Sequence, residues 1–287
     1  MLNLKHKTGS LLLVFFFTAF TMNAGDAPAK ATTKNDRDTL ESVARLNDPA
    51  MPEIPLHSSM ENFVSDYTES NEELFEKLKA TKSNYFKTID KIFLQQNIPV
   101  ELKYLAIIES ELKTNARSGV GAVGVWQFMP GTAKTFGLKI SSKYDERQHL
   151  WKSTVAAARY LEYLYSFFGD WLLVVASYNS GPGPVLSAIK KSGSKSFWKI
   201  QNFLPRETRL HVKRFIATHY YFEGKGSMVT LGKSETEKYL KALEEFNSKH
   251  NLVPDTEEKE HDTTNVVASQ LVAVISNEKE LRLVLKR

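Results

Sequence analysis

The chain has no cysteine among its 287 residues, so disulfides, thiolate metal sites, thiol catalysis and a lipid anchor at a lipobox are excluded together. Lys and Arg never gather into a run long enough to argue for nucleic acid, and the formal net charge of +5 is spread along the chain. Such a mild excess suits an anionic polymer or surface. Alternating runs of strand type are missing between residues 60 and 225, which predicts a mainly α domain with room for a small hairpin near 118–126. His211 and His219 lack a familiar metal spacing and read as packing or surface residues. Even the apolar run LLLVFFFTAF at 11–20 is too short for an ordinary spanning helix.

What is present divides the chain into segments. Lys5, His6 and Lys7, the apolar run, then Ala24, Gly25 and Ala27 follow the order of a secretory signal, read as residues 1–24. Export to the periplasm or cell envelope is expected, with membrane association if the leader stays uncleaved. Residues 25–58, rich in Ala, Thr, Asp, Lys and Pro, read as a flexible linker. The core-forming part is 59–225, and 42% hydrophobic residues overall suffice for a core. Ser70 with Glu73 looks like a capping box, and Phe75, Leu78, Tyr85, Ile89 and Ile92 predict two short helices. Later helices are expected at about 131–136, 150–168, 170–177, 182–191 and 206–223. A C-terminal helix at 226–250 starts near Ser234, which pairs with Glu237 as a second capping box. Residues 251–287 read as a polar linker and a short apolar tail.

One carboxylate stands apart. Pro99 suits a first helical turn, and the run Val100 to Lys113 contains no Gly or Pro. At roughly 100° per residue Glu109 falls between Leu102, Leu105, Ala106 and Leu112, whereas Glu111 lies about 200° further round. Glu109 therefore points where apolar residues point. Removing a carboxyl from water favours its protonated form, which suits a general acid. A helix acid paired with a core Lys or Arg would look the same from this helix alone.

Downstream lies RSGVGAVG, with Ser118 and three glycines that permit tight turns, followed by GVWQFMP at 124–130. Sugar recognition needs aromatic or thioether surface for ring faces and amides for hydroxyl and N-acetyl groups. Gln127 and Met129 are the better ligand candidates, since Trp126 and Phe128 serve a core equally well. The turn SYNSGPG at 177–183 adds a phenol, Tyr178, and an amide, Asn179, although each also suits packing or a helix end. LPRETR at 204–209 opens another helix with Glu207 in its first turn, by default a stabilising acid paired with Arg209.

The ordered set Glu109-Ser110, Ser118, GVWQFMPGTA, SYNSGPG and LPRETR resembles the lytic transglycosylases of the soluble-transglycosylase, or goose-lysozyme-like, superfamily, above all the membrane-bound lytic transglycosylase D type. The resemblance covers roughly 60–225. It implies a lysozyme-like helical fold with a groove for peptidoglycan glycan strands, Glu109 as catalytic acid/base, and Ser118, Gln127, Met129, Tyr178 and Asn179 as substrate-binding or intermediate-stabilising residues. No cofactor or metal is implied. A typical glycosidase uses two carboxylates, but one suffices where the substrate's N-acetyl group assists. Two departures stand out: His211 occupies a place where many relatives carry Tyr, and residues 226–287 contain nothing like a peptidoglycan-binding repeat. A hydrolytic muramidase, with Glu207 or Asp170 as second base, and a non-catalytic wall-binding scaffold are the alternative readings.

Overall fold

The computed structural model of the protein describes residues 51–249. The expected signal, most of the linker and the tail from 250 onward lie outside them. Among the described residues ten α-helices carry the fold. They are α1 (Glu61–Thr81), α2 (Ser83–Gln95), α3 (Leu105–Ser110), α4 (Pro130–Thr135), α5 (Leu150–Phe168), α6 (Trp171–Ser180), α7 (Pro182–Ser192), α8 (Phe197–Ile200), α9 (Arg206–Glu223) and α10 (Lys233–Lys249). The expected mainly α class is observed. In place of a hairpin there are isolated antiparallel bridges, Arg117 to Val123 and Val123 to Phe128.

Helix α6 is the apolar centre: Leu172, Leu173, Val174, Val175 and Ala176 have no exposed surface. Such all-round burial requires neighbours on every side, and α5, α7 and α9 supply them. Helix α9 also packs along α1 and α3, so it forms one wall of the Glu109 region. Its Val212, Phe215, Ile216 and His219 recur at helical spacing and are buried.

Three local expectations need correction. The two early helices are long, because Phe63, Tyr67, Leu74, Phe75 and Leu78 keep the helical period through the supposed break. Ser70 is therefore no cap; its hydroxyl donates to the Asp66 carbonyl one turn back. At the start of α10 the acid that turns back is Glu235, which accepts the Gly232 N–H, and Ser234 lies inside the helix. Finally, the stretch before α1 is packed against the domain: His57 stacks on Trp198 with ring centroids 3.8 Å apart. Among the described residues no helix is long and apolar enough to cross a membrane.

Candidate active site

Glu109 is the penultimate residue of α3. The predicted single helix from Val100 to Lys113 is instead a 3-10 segment, Val100–Tyr104, followed by this short α-helix. It stops because Glu111 and Leu112 both adopt left-handed backbone, with φ of 54° and 59°. That conformation is costly for residues with a Cβ. Burial of Leu112, which has no exposed surface, offsets the cost, and its N–H closes back onto the Ala106 carbonyl at 3.2 Å. The consequence for the two acids follows the helix wheel. The side chain of Glu109 keeps only 15% of its surface exposed, against 43% for Glu111, which pairs with Lys113.

The partner of Glu109 is neither Lys nor Arg. It is His211 on α9, whose Nε2 lies 2.8 Å from Oε1. The expectation that His211 is a packing or surface residue was incomplete: the imidazole is buried, and its buried face meets the acid. Oε2 of Glu109 takes no part in this bond, and the side chain keeps part of its surface open. His211 lies 102 positions from Glu109, a pairing that only the packing of α9 on α3 creates. The one signal in sequence was its place in the LPRETR helix, where the resemblance led to an expectation of Tyr.

Ser110 ties this acid to the next motif. Its hydroxyl donates to the Val125 carbonyl at 2.8 Å, fastening α3 to the GVWQFMP loop. Within that loop Trp126 and Phe128 are core residues: Trp126 has no exposed surface and donates from Nε1 to Thr154 Oγ1 at 3.0 Å. Gln127 has a positive φ of 46°, and its side-chain amide donates to the Gly124 carbonyl at 2.8 Å, so the N–H donors brace the loop. Met129 is the exposed thioether of the motif, at 43%. Ser118 accepts the Ala122 N–H at 2.9 Å, closing the glycine-rich turn, and is not bonded to Glu109.

The loop is held from behind by a pair that sequence reasoning missed. Arg147 is buried and donates to the carbonyls of Gly121 and Phe128 at 2.9 and 3.0 Å. Its remaining donors reach Asp145, Nε to Oδ1 at 2.9 Å and Nη2 to Oδ2 at 2.7 Å. The Arg147 hydrogen bonds hold the Asp145 carboxyl below the usual carboxylate range. The Asp145–Arg147 pair is separated in sequence from the loop by α4 and the turn after it, so no local pattern announces the brace.

Tyr178 and Asn179 occupy the last turn of α6, so SYNS is helix and the turn begins at Gly181, with φ of 77°. The Tyr178 hydroxyl donates to the Trp126 carbonyl at 2.8 Å, joining α6 to the same loop. Burial and then the negative charge of Glu109 push this phenol well above its ordinary range, which keeps it a donor and places it within the field of the acid. Phe128 and Tyr160 flank its ring, with centroids 6.4 and 5.3 Å away. Asn179 is exposed and accepts the Thr208 hydroxyl at 2.9 Å, a bond between α6 and α9.

The carboxylates named as a second base are otherwise engaged. Asp170 is buried at the N-terminus of α6, accepting the N–H groups of Leu173 and Lys233. Tyr178 lies eight residues further along that helix, about 12 Å away at 1.5 Å per residue. Glu207 is exposed and pairs with Arg214 at 2.9 Å, not with Arg209, which reaches Asn202. Among the described residues no three His, Cys, Asp or Glu side chains gather as a metal would need.

Residues 88–201 match the Transglycosylase SLT domain family. The chain is 42% identical over 128 residues to the membrane-bound lytic murein transglycosylase D of Escherichia coli (strain K12), covering 43% of this chain and 28% of that one. A protein of Alteromonas sp. named for tributyltin chloride resistance is 42% identical over 103 residues, 36% of this chain and 50% of its own. The soluble lytic murein transglycosylase of Salmonella typhimurium is 34% identical over 122 residues, 40% and 19% of the two chains. Among solved structures, the 70 kDa soluble lytic transglycosylase from Escherichia coli aligns with 60% of this chain and 32% of its own, at 25% identity and a TM-score of 0.46. The chain spans half or less of the length of the curated relatives it matches.

Proposed function

We propose that the protein, whose residues 88–201 match the Transglycosylase SLT domain family, is a peptidoglycan lytic transglycosylase that cleaves the β-1,4 bond from N-acetylmuramic acid to N-acetylglucosamine without water. The observation that carries this reading is Glu109: a carboxyl 15% exposed, joined to α9 by His211, whose charge acts on the Tyr178 phenol, with no second carboxylate bonded to it among the described residues.

In this reaction Glu109 donates its proton to the glycosidic oxygen, and the electrons of the C1–O bond leave with N-acetylglucosamine. The muramic N-acetyl carbonyl oxygen attacks its own C1 as that bond breaks. Glu109, now a carboxylate, takes the proton of the muramic C6 hydroxyl. The freed oxygen displaces the N-acetyl oxygen at C1, closing a 1,6-anhydro ring and returning the acid to its starting state. Tyr178 helps position the N-acetyl group, and Ser118, Gln127, Met129 and Asn179 line the strand. The reaction requires that bulk water be kept from C1 while the strand is bound.

A hydrolytic muramidase would need a second base, and both named candidates are committed elsewhere: Asp170 caps α6 and Glu207 pairs with Arg214. Purified sacculi digested with the protein test the choice. The expected fragments end in 1,6-anhydromuramic acid, one water lighter than reducing-end products, and Glu109→Gln lowers their release by about 10²- to 10⁴-fold. Reducing ends would select the muramidase, and binding without cleavage the scaffold. The glycan strand is the expected partner, and the leader directs the protein to the envelope where that polymer lies.

A further inference from the structure

We infer that His211 is a positioning residue whose Nε2–H donates to Oε1 of Glu109 and reserves that oxygen, so that the proton exchanged with substrate is carried by Oε2 alone. The inference rests on the transglycosylase reading above. Its geometric basis is the 2.8 Å contact between a buried imidazole and one oxygen of a carboxyl whose other oxygen is free of that bond, in a side chain that is not fully buried.

The tautomer follows from the other side of the ring. Nδ1 of His211 is buried and has no hydrogen-bond partner. A neutral imidazole carries one proton, and a buried N–H without an acceptor is the rarer and more costly defect; an unused lone pair is better tolerated. The proton therefore sits on Nε2, facing Glu109. The ring cannot readily turn away, because α9 is fastened one turn earlier by Thr208 to Asn179 at 2.9 Å and packs against α3 and α6.

This arrangement suits a group that must serve as acid and then as base. In the first step Oε2 carries the hydrogen and gives it to the glycosidic oxygen, while Oε1 accepts from Nε2. In the second, Oε2 is the bare oxygen that removes the C6 hydroxyl proton, and Oε1 still accepts the same N–H. One hydrogen bond persists through both protonation states. Without it the proton could reside on Oε1, turned from the sugar, and the ionised intermediate state would lose a donor.

The test compares His211→Phe, which removes the donor, with His211→Gln, whose terminal amide places an N–H near the Nε2 position. On sacculi, the expected result is a fall of about 10²-fold in kcat for His211→Phe with KM little changed, since the ring touches the acid and not the sugar. His211→Gln should recover to within about fivefold of wild type. Equal loss in both variants, or a change confined to KM, would overturn the inference. So would an unaffected His211→Phe. Should His211→Phe fail to fold, nitrogen-15 NMR of histidine-labelled wild type decides: a proton on Nε2 of His211 supports the assignment and one on Nδ1 sinks it. If wild type itself released no 1,6-anhydro ends, the transglycosylase reading would fall; intact anhydro chemistry with an indifferent His211 removes only this inference.

Discussion

A Cβ added at Gly124 would stand 2.0 Å from the carbonyl oxygen of Arg147, and the residue's φ is +86°. Two independent obstacles thus meet at one position. The backbone conformation alone costs an ordinary residue about 1–2 kcal/mol, and the contact forces apart the loop and the residue that anchors it. Because Arg147 also holds the carbonyls of Gly121 and Phe128, the displacement would propagate along GVWQFMP to Gln127 and Met129. Gly124→Ala is expected to lose about 3 kcal/mol or more of stability, read by urea unfolding, and to digest sacculi poorly even where it remains folded. A variant within about 0.5 kcal/mol of wild type would show that the loop is not pinned as described. By contrast Gly119 and Gly131 have open space where a methyl group would stand and no positive φ, so the same substitution there should be mild.

Helix bounds were largely readable from the chain: α4, α5, α7 and α9 lie within a residue of the expected 131–136, 150–168, 182–191 and 206–223, with Pro at the start of α4 and α7 and Gly after the end of α5, α7 and α9. Termination of α3 was not, because the residues that stop it, Glu111 and Leu112, carry no glycine or asparagine signal; tertiary burial of Leu112 makes the left-handed turn affordable. The same distinction holds for the site. The inward direction of Glu109 follows from helical period, whereas its contact with His211 and the Arg147 brace join segments far apart in sequence and depend on how helices pack. Helix α6 shows how a capping residue acquires a tertiary role. Asp170 accepts Leu173 N–H at its own N-terminus and Lys233 N–H from α10, and burial pushes its carboxyl up to about 6 from 3.8. The native state therefore binds this proton more tightly than the unfolded chain, so stability attached to Asp170 falls as pH rises from about 4 to about 6. The shift corresponds to on the order of 3 kcal/mol. Asp170→Asn keeps an acceptor for Leu173 and removes the titration. Its stability relative to wild type should improve by that order between pH 4 and pH 6, and a difference curve flat across that window would refute the assignment.

Across the whole molecule this slope is opposed by a second buried group, in the C-terminal half of α9. His219 has no exposed surface, its Nε2 lies 2.8 Å from Ser227 Oγ, and Nδ1 is buried without a partner. Burial, and secondarily the charge of Lys103, push its pKa down to about 3 from 6.5. Here the unfolded chain takes up the proton first. Stability attached to His219 is complete above about pH 6.5 and falls as pH drops toward 3, by on the order of 5 kcal/mol. Between pH 4 and pH 6 the two contributions run in opposite directions with similar slope, because each group is protonated in only one of the two states there. Their sum is nearly flat in that window, and each is unmasked by removing the other. Asp170→Asn should become steeply acid-labile from pH 6 to pH 4, while His219→Gln, which retains a bond to Ser227, should grow more stable relative to wild type as pH falls below 6. Chemical unfolding of wild type and both single variants at half-unit steps measures the two difference curves. Parallel curves for all three proteins would mean that neither group titrates differently on folding, and the opposition described here would not exist.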